Sequence, residues 1–185
     1  MARRATNVSR ARIQEVALTL FATQGYALTS LHEIATALDV TKAALYFYFP
    51  AKAQLLQSLA NPLLDAVRAL LDAYPASPDG PLAAPARREL VCALTDLLLA
   101  HRPVAAWLAR DLTALAQPEI GDRITDNVDR LQRLLGGAET DTAGQVRAAA
   151  AVGALTRPLA ILDAQDLNAL RDTLVAAALA PLEAE

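Results

Sequence analysis

The sequence predicts an all-α protein, because three patterns along its 185 residues favour helices. Apolar residues recur at intervals of three and four, as they do on the buried face of a helix. From residue 52 onward the chain is rich in Ala and Leu and keeps this helical pattern. Proline and glycine separate the helical stretches and cluster at residues 74–81, where we expect a loop. No segment shows the alternation of apolar and polar residues that is typical of a strand.

The first two helices are predicted from their apolar stripes and from the residues at their ends. The first helix buries Ile13, Val16, Ala17, Leu20 and Phe21. Gly25 ends it, because a glycine readily adopts the left-handed conformation of a helix terminus. A second helix begins at Leu31, since Ser30 and Glu33 have the spacing of a capping box. It turns at Asp39, a short polar residue that tolerates a positive φ.

A third short helix is predicted at residues 42–48, with Thr41 as its N-cap. Two short helices joined by a tight turn predict a helix-turn-helix, whose second helix enters the major groove of DNA. Leu45 and Phe49 point to the core, and the residues left outside are Lys42, Ala43, Tyr46 and Tyr48. Lys52 falls in the first turn of a fourth helix, where a cation is favourable only beside an anion such as phosphate.

Charge divides the chain into a basic head and an acidic body. The formal net charge of −3 argues against nucleic-acid binding when the chain is taken whole. Residues 1–52, however, carry +3 and residues 53–185 carry −6. Such an asymmetry is expected when one end of a protein meets phosphates. The arginines at the start of the head fit either a basic arm for DNA or a solvated tail; they are Arg3, Arg4, Arg10 and Arg12.

An ordered set of short motifs spans residues 9–55. It consists of Ala22-Thr23-Gln24-Gly25-Tyr26, Leu28-Thr29-Ser30, Ile34-Ala35, Val40-Thr41-Lys42, Leu45-Tyr46-Phe47-Tyr48-Phe49 and Lys52. In this set the segment resembles the N-terminal DNA-binding domain of the TetR family of bacterial transcriptional regulators. The resemblance implies a helix-turn-helix DNA-binding domain at residues 1–52, followed by a helical regulatory and dimerisation domain at residues 53–185. It also implies a dimeric repressor that binds a double-stranded DNA operator and is relieved by a small apolar ligand.

The resemblance implies DNA contacts at nine positions. These are Ser30, His32, Thr41, Lys42, Ala43, Ala44, Tyr46, Tyr48 and Lys52. Lys42 and His32 would read base edges, and phosphates would be held by Ser30, Thr41, Tyr46, Tyr48 and Lys52. The chain departs from the family pattern at Asp39, at the Ala43-Ala44 pair and at Ala51. The alanine pair can touch a thymine methyl group but cannot hydrogen-bond a base edge.

Six further helices are predicted near 52–73, 86–101, 103–116, 118–136, 141–161 and 164–180, with Pro158 ending or kinking the fifth. The last two helices carry stripes of small and apolar residues. The stripe on the helix at 141–161 consists of Val146, Ala149, Ala150, Val152, Gly153 and Leu155. The stripe on the helix at 164–180 consists of Leu167, Leu170, Leu174, Val175 and Ala178. In a TetR-like protein the corresponding helices form the homodimer interface. Periodicity alone fits the chain's own core equally well.

A small apolar ligand is expected in a cavity of the helical body. The residues predicted to line and orient it are Leu97, Leu98, His101, Trp107, Leu108, Arg110, Asp111 and Leu112. The alternative is that Trp107 is an ordinary core residue. The lone Cys92, set among apolar neighbours, is predicted to be a small buried hydrophobe.

Enzymatic function is disfavoured, and neither a metal nor a cofactor is predicted. The two histidines lie 69 residues apart, and the chain has no Gly-rich phosphate loop, HExxH pair or paired-cysteine spacing. No signal-peptide pattern or membrane-spanning apolar run is found, so we expect a cytoplasmic protein. The alternative function is a helical carrier or interaction protein that binds an apolar ligand without DNA. That alternative leaves the basic, aromatic head unexplained.

Overall fold

The computed structural model describes residues 8–75, 81–137, 141–162 and 167–183. Within these ranges every regular element is a helix, which confirms the all-α prediction. The described helices are α1 (Arg10–Gln24), α2 (Leu31–Ala37), α3 (Lys42–Tyr48), α4 (Lys52–Asp72), α5 (Ala84–Ala100), α6 (Arg102–Leu108), α7 (Leu112–Leu115), α8 (Pro118–Gly136), α9 (Thr142–Ile161) and α10 (Leu167–Glu183). Most of the loop predicted at 74–81 lies outside the described residues.

The chain forms two compact units. The first unit runs to Pro62 and takes in the later segment Asp111–Gly121. The second unit consists of Leu63–Arg110 and the residues from Asp122 onward. The first unit is called the head below, and the second is called the body.

In the head, the helices begin and end at the residues that the sequence predicts. Gly25 has a φ of 89° at the end of α1, and Asp39 has a φ of 52° at the corner between α2 and α3. The capping box of α2 is complete, since Ser30 Oγ accepts from the Glu33 amide at 3.1 Å and Glu33 Oε2 accepts from the Ser30 amide at 2.7 Å. The largest fully buried side chains of the head's first helices are Ile13, Phe21, Ile34, Leu45 and Phe49.

The body has a continuous apolar core. Helix α10 packs on α9 and on α5, and α6 packs on α9. The core includes Leu90, Val91, Leu135, Ala151 and Leu155. Polar side chains at its margin satisfy backbone carbonyls, as when the buried Asn127 amide donates to the Leu64 carbonyl at 3.2 Å. Buried polar groups need such partners, because an unpaired one costs about 1–3 kcal/mol.

One sequence prediction about the later helices requires correction. The single helix expected at 103–116 is wrong, because α6 ends at Leu108 and α7 begins at Leu112. Asp111 causes the break: its Oδ1 caps α7 by accepting from the Thr113 and Ala114 amides at 3.0 and 3.2 Å. Pro158 lies in the last turn of α9, and the helix ends at Ile161, which is the end of the range predicted from the sequence.

The two stripes expected at a dimer interface are divided between core and surface. On α10 the stripe is buried in the chain's own core at Leu170, Leu174, Val175 and Ala178, as are Val152 and Leu155 of α9. The Leu167 side chain lies outside the described residues. The exposed part of the α9 stripe is Val146, Ala149 and Ala150, with Gly153 half-exposed beside it. Helix α10 exposes a second set of small residues, namely Ala169, Thr173, Ala176, Ala177 and Ala180.

Among the described helices, none is by itself long and apolar enough to cross a membrane. The pair α5 and α6, bent by 95°, meets the length and composition criteria only when its two helices are joined.

Candidate nucleic-acid interface

Helix α3 presents one face to the core of the head and the opposite face to solvent. Thr41 caps its first turn, because Thr41 Oγ1 accepts from the Ala44 amide at 3.2 Å. Leu45 and Phe49 are 0% and 1% exposed, which anchors the inner face. The outer face carries Lys42, Ala43, Tyr46 and Phe47, all of which are exposed. A short helix held in this way can offer its outer side chains to a groove without being rearranged.

The outer face of α3 combines one cation with aromatic rings. The Lys42 ammonium lies 5.4 Å from the centre of the Tyr46 ring, one helical turn away. The rings of Phe47 and Tyr48 meet edge to face, with centres 5.3 Å apart. Tyr48 itself is half-buried rather than fully outside. These groups supply an ammonium and two phenol hydroxyls, which are ordinary donors to phosphate oxygens and base edges.

Phe47 is the residue of this face that sequence reasoning missed. It is 81% exposed, the largest exposed fraction among the described large apolar side chains. A phenylalanine so exposed on a folded surface often marks an interaction site when it lies within a larger apolar patch. The signal for it was present in the sequence, because Phe47 follows Ala43 by four residues and therefore shares its face of the helix.

The start of α2 contributes two further predicted contacts, Ser30 and His32, and both are exposed. The Ser30 hydroxyl is part of the capping box and also donates to Glu33 Oε2 at 2.8 Å. Donation by the Ser30 backbone amide, followed by its hydroxyl, lowers the pKa of the Glu33 carboxyl. The charged form of Glu33 therefore stabilises the first turn of α2.

The described arginines of the head are engaged within the head. Arg10 donates to the carbonyl oxygen of Tyr48 at 3.0 Å, and its guanidinium carbon lies 4.6 Å from the centre of the Phe49 ring. Arg12 pairs with Glu15 at 2.7 Å on the surface of α1. Arg3 and Arg4 lie outside the described residues. The basic-arm hypothesis therefore rests on those two residues alone.

Lys52 is the first residue of α4, as expected, but its ammonium is occupied within the head. It donates to the carbonyl oxygens of Tyr26, Ala27 and Thr29 at 2.8, 3.3 and 2.9 Å. The same nitrogen lies 4.2 Å from the centre of the Tyr26 ring. The phosphate contact implied by the resemblance stays a prediction for Lys52.

The segment Asp111–Gly121 changes the electrostatics of the head. Residues 53–62 carry no charge, so the +3 of residues 1–52 is reduced only by the two acidic residues of this segment, Asp111 and Glu119. The compact unit therefore has a formal charge of +1. A role in DNA binding would therefore depend on where the cations of this unit lie more than on its net charge.

The predicted ligand residues are distributed over both units. Leu98, Trp107 and Leu108 are buried in the body, with Leu97 and His101 half-buried and Arg110 exposed. Asp111 belongs to the head and caps α7, and Leu112 is 75% exposed, which does not suit the lining of an apolar cavity. A ligand site at these residues stays a prediction.

A cavity of about 410 Å³ lies elsewhere in the body, between α5 and α10. It is bordered by Arg88 and Cys92 of α5 and by Arg171, Val175 and Leu179 of α10. Cys92 is half-buried there, less than the sequence predicted. Arg171 pairs with Asp96, which holds the pKa of the Asp96 carboxyl below its ordinary value.

Among the described residues, no group of three His, Cys, Asp or Glu side chains could hold a metal ion.

Comparison with known proteins finds a sequence match in the head and a likeness of fold over the whole chain. Residues 13–59 match the family of bacterial regulatory proteins of the tetR type. A curated relative, the uncharacterized HTH-type transcriptional regulator YuxN of Bacillus subtilis (strain 168), is 51% identical over 49 residues, which are 26% of this chain and 17% of that protein. The matched segment is thus a small part of the relative.

Solved structures extend the likeness to the body. A bacterial regulatory protein in the tetR family from Rhodococcus RHA1 superposes with a TM-score of 0.71 at 22% identity, covering 100% of both chains. A member of the TetR transcriptional regulator family from Streptomyces coelicolor A3 gives a TM-score of 0.71 at 18% identity, covering 98% of this chain and 92% of that one. At such identities the likeness concerns the fold. Residues 13–59 are thus similar in sequence to the tetR family of bacterial regulatory proteins, and the whole chain is similar in fold to solved members of that family.

Proposed function

We propose that the protein is a sequence-specific DNA-binding transcriptional regulator. The observation that carries this proposal is the outer face of α3, where one cation and three aromatic rings stand on a helix whose inner face is locked by Leu45 and Phe49. A helix of this kind is the second helix of a helix-turn-helix, the part that enters the major groove. The role requires the cytoplasm, where bacterial DNA lies, in agreement with the location expected from the sequence.

Each side chain of the interface has a proposed role that follows from its chemistry. Lys42 and His32 donate to base edges, because an ammonium or an imidazole N–H can reach the acceptors of guanine or adenine. Ala43 and Ala44 allow close approach and can touch a thymine methyl group. The hydroxyl donors to phosphate are those of Thr41, Tyr46 and Tyr48. The Ser30 hydroxyl joins them only by giving up its bond to Glu33 Oε2, since it has a single proton to donate. Phe47, which has no polar group, can offer only apolar contact to a sugar or a thymine methyl group.

We propose that the regulator acts as a homodimer through the exposed small-residue faces of α9 and α10. Small side chains let helices from two copies approach closely, and a two-fold axis uses the same face on both copies. A Cβ atom at Gly153 would have no neighbour within 4 Å, so this part of α9 is open in the single chain. A dimer would present two copies of α3 to successive turns of one duplex.

Repression relieved by a small apolar ligand is the finer part of the proposal. A dimer bound to its operator blocks access to the underlying DNA. A ligand relieves this block only if it binds the DNA-incompetent arrangement more tightly than the competent one. Fold analogy does not identify that ligand, because proteins of one fold differ in pocket chemistry.

The test is retention of the DNA upstream of the protein's own gene in a gel-shift titration, followed by selection of preferred sequences. Lys42→Ala should weaken preference at one or two base pairs, at a cost of about 1–3 kcal/mol each. Arg133→Ala is the matched control, because it removes one exposed cation from the body. Wild-type protein that retains all sequences equally, or a Lys42→Ala variant with unchanged preference, contradicts the proposal.

The carrier alternative makes the opposite prediction for the same experiment. A helical protein that binds an apolar ligand without DNA would give no specific retention and would be indifferent to Lys42→Ala. No feature of the described body favours this alternative over a regulator, whereas the α3 face has no role in it.

A further inference from the structure

The linker between α1 and α2 is held by hydrogen bonds to groups far away in the sequence. Three of its carbonyl oxygens, those of Tyr26, Ala27 and Thr29, accept from the single ammonium of Lys52 at 2.8, 3.3 and 2.9 Å. A lysine ammonium has three donors, so these bonds use its full capacity. The Tyr26 ring covers the same nitrogen at 4.2 Å.

The N–H groups of the same linker are held from the other side by the segment Asp111–Gly121. Asp111 Oδ2 accepts from the Tyr26 amide at 2.5 Å, and Thr113 Oγ1 accepts from the Ala27 amide at 3.2 Å. At both Tyr26 and Ala27, the backbone N–H and the backbone carbonyl oxygen are therefore hydrogen-bonded. Their position is determined by the start of α4 and the start of α7 together.

The charge of Lys52 is compensated inside this arrangement. Burial lowers the pKa of its ammonium, and the Asp111 and Glu33 carboxylates oppose that effect. A half-buried cation is stable only when its hydrogen-bond capacity is satisfied, and here the linker carbonyls satisfy it. A phosphate could bind Lys52 only by displacing at least one of these carbonyls.

The linker leads directly into the helix-turn-helix. Thr29, 1% exposed, precedes the N-cap Ser30, and α2 packs on α3. A shift of the linker would therefore move the first turn of α2 and, through it, the outer face of α3. A displacement of about 1 Å is enough to spoil directed hydrogen bonds to base edges.

We propose that Lys52 is a positioning residue for DNA binding: it anchors the Tyr26–Thr29 linker and thereby sets α3, and it does not act as a phosphate ligand. The proposal rests on the DNA-binding function proposed above. It assigns to the first residue of α4 a role that depends on geometry more than on charge.

Two substitutions separate geometry from charge. Lys52→Arg keeps the cation, but a planar guanidinium cannot direct three bonds from one nitrogen to three converging carbonyls. Lys52→Met keeps the aliphatic stem and removes the cation. We expect both variants to lose about tenfold or more in affinity for the wild-type operator, measured well below their unfolding temperatures. We expect both to keep the wild-type dependence of affinity on salt.

The phosphate role predicts a different pattern. Lys52→Arg would then retain affinity, and Lys52→Met would reduce the salt slope by about 0.9 for each phosphate that the variant no longer neutralises. Lys42→Met is the matched control, because Lys42 is the only other lysine of the chain and is exposed on α3. Retained affinity in Lys52→Arg, or a reduced slope in Lys52→Met, overturns the proposal.

Nuclear magnetic resonance of the free protein makes the test independent of DNA binding. Because the chain has two lysines, substituting one of them assigns both side-chain ammonium signals. We expect the ammonium protons of Lys52 to exchange slowly with solvent and those of Lys42 to exchange fast. In Lys52→Met the backbone amide signals of residues 42–48 should shift. If the wild-type protein binds no DNA, the proposed function fails, but these signals still test whether Lys52 anchors the linker. Unshifted amide signals in Lys52→Met, or fast exchange at Lys52 in the wild-type protein, would overturn the anchoring role.

Discussion

Arg10, in the first turn of α1, donates a hydrogen bond to the carbonyl oxygen of Tyr48, the last residue of α3, at 3.0 Å. The last carbonyls of a helix have no partner within the helix, and a cation there is favoured by the helix dipole. The guanidinium also lies 4.6 Å from the centre of the Phe49 ring. One side chain thus joins the first helix of the head to the end of the helix proposed to read DNA.

We expect Arg10→Ala to lower the free energy of unfolding by about 1–2 kcal/mol, because it removes both the cap and the stacking on Phe49. Denaturant unfolding measures this change. Arg12→Ala is the matched control: its exposed pair with Glu15 should contribute less than about 0.5 kcal/mol. Equal losses in the two variants would contradict the role of Arg10.

Phe47→Ala should weaken DNA binding without destabilising the protein. Because the ring is 81% exposed, the free energy of unfolding should change by less than about 0.5 kcal/mol. Burial of the ring against DNA would contribute up to about 2 kcal/mol of affinity, and the salt slope should stay unchanged, since the ring releases no counterion. Leu112→Ala removes a side chain of similar exposure from α7 and should leave affinity unaltered. Wild-type affinity in Phe47→Ala would remove Phe47 from the interface.

Gly153→Arg should give a folded monomer. The open space at this position admits a side chain, and a residue other than glycine raises helix propensity by up to about 1 kcal/mol. A bulky cation on the exposed face of α9 should keep a second copy away, which sedimentation equilibrium measures directly. Ala69→Arg, an equally bulky change on the exposed side of α4, should leave the dimer intact. A Gly153→Arg dimer of wild-type affinity would exclude this part of α9 from the interface.

Acid should remove the stabilisation that Glu33 contributes to the head. Its carboxyl has a pKa below the ordinary value, chiefly because the Ser30 amide donates to it. A lowered folded-state pKa means that the contribution is complete above the ordinary carboxyl pKa and is lost as the pH falls through the lowered value. The melting temperature of Glu33→Gln should therefore lie below that of the wild-type protein at neutral pH and meet it in acid. A difference that is constant across this range would show that the charge of Glu33 is not involved.

The features that sequence reasoning predicted correctly in the head are local. They are the capping box of Ser30 and Glu33, the cap at Thr41, and the positive φ of Gly25 and of Asp39. The two caps join residues three positions apart, and a φ angle belongs to a single residue. Helix geometry sets the distance between such residues, so their spacing is enough to predict the bond. The inner face of α3 was predictable for the same reason.

The features that were missed depend on partners far away in the sequence. The break before α7 lies at Asp111, whose second carboxylate oxygen accepts from Tyr26, 85 residues earlier. Periodicity carries no information about such a pairing. In the same way, the position of Lys52 in the first turn of α4 gave no information about the linker carbonyls that accept from its ammonium, which lie 23 to 26 residues away.

The sequence by itself determined that this chain is helical, where its head begins its helix-turn-helix and which side of α3 faces outward, because these follow from bonds within one or two helical turns. Only the tertiary structure decided which polar side chains are occupied. The bond from Arg10 to Tyr48 spans 38 residues, and those from Lys52 to the linker span 23 to 26. Such bonds form when packing brings distant groups together, so residue type and position along the chain do not predict them.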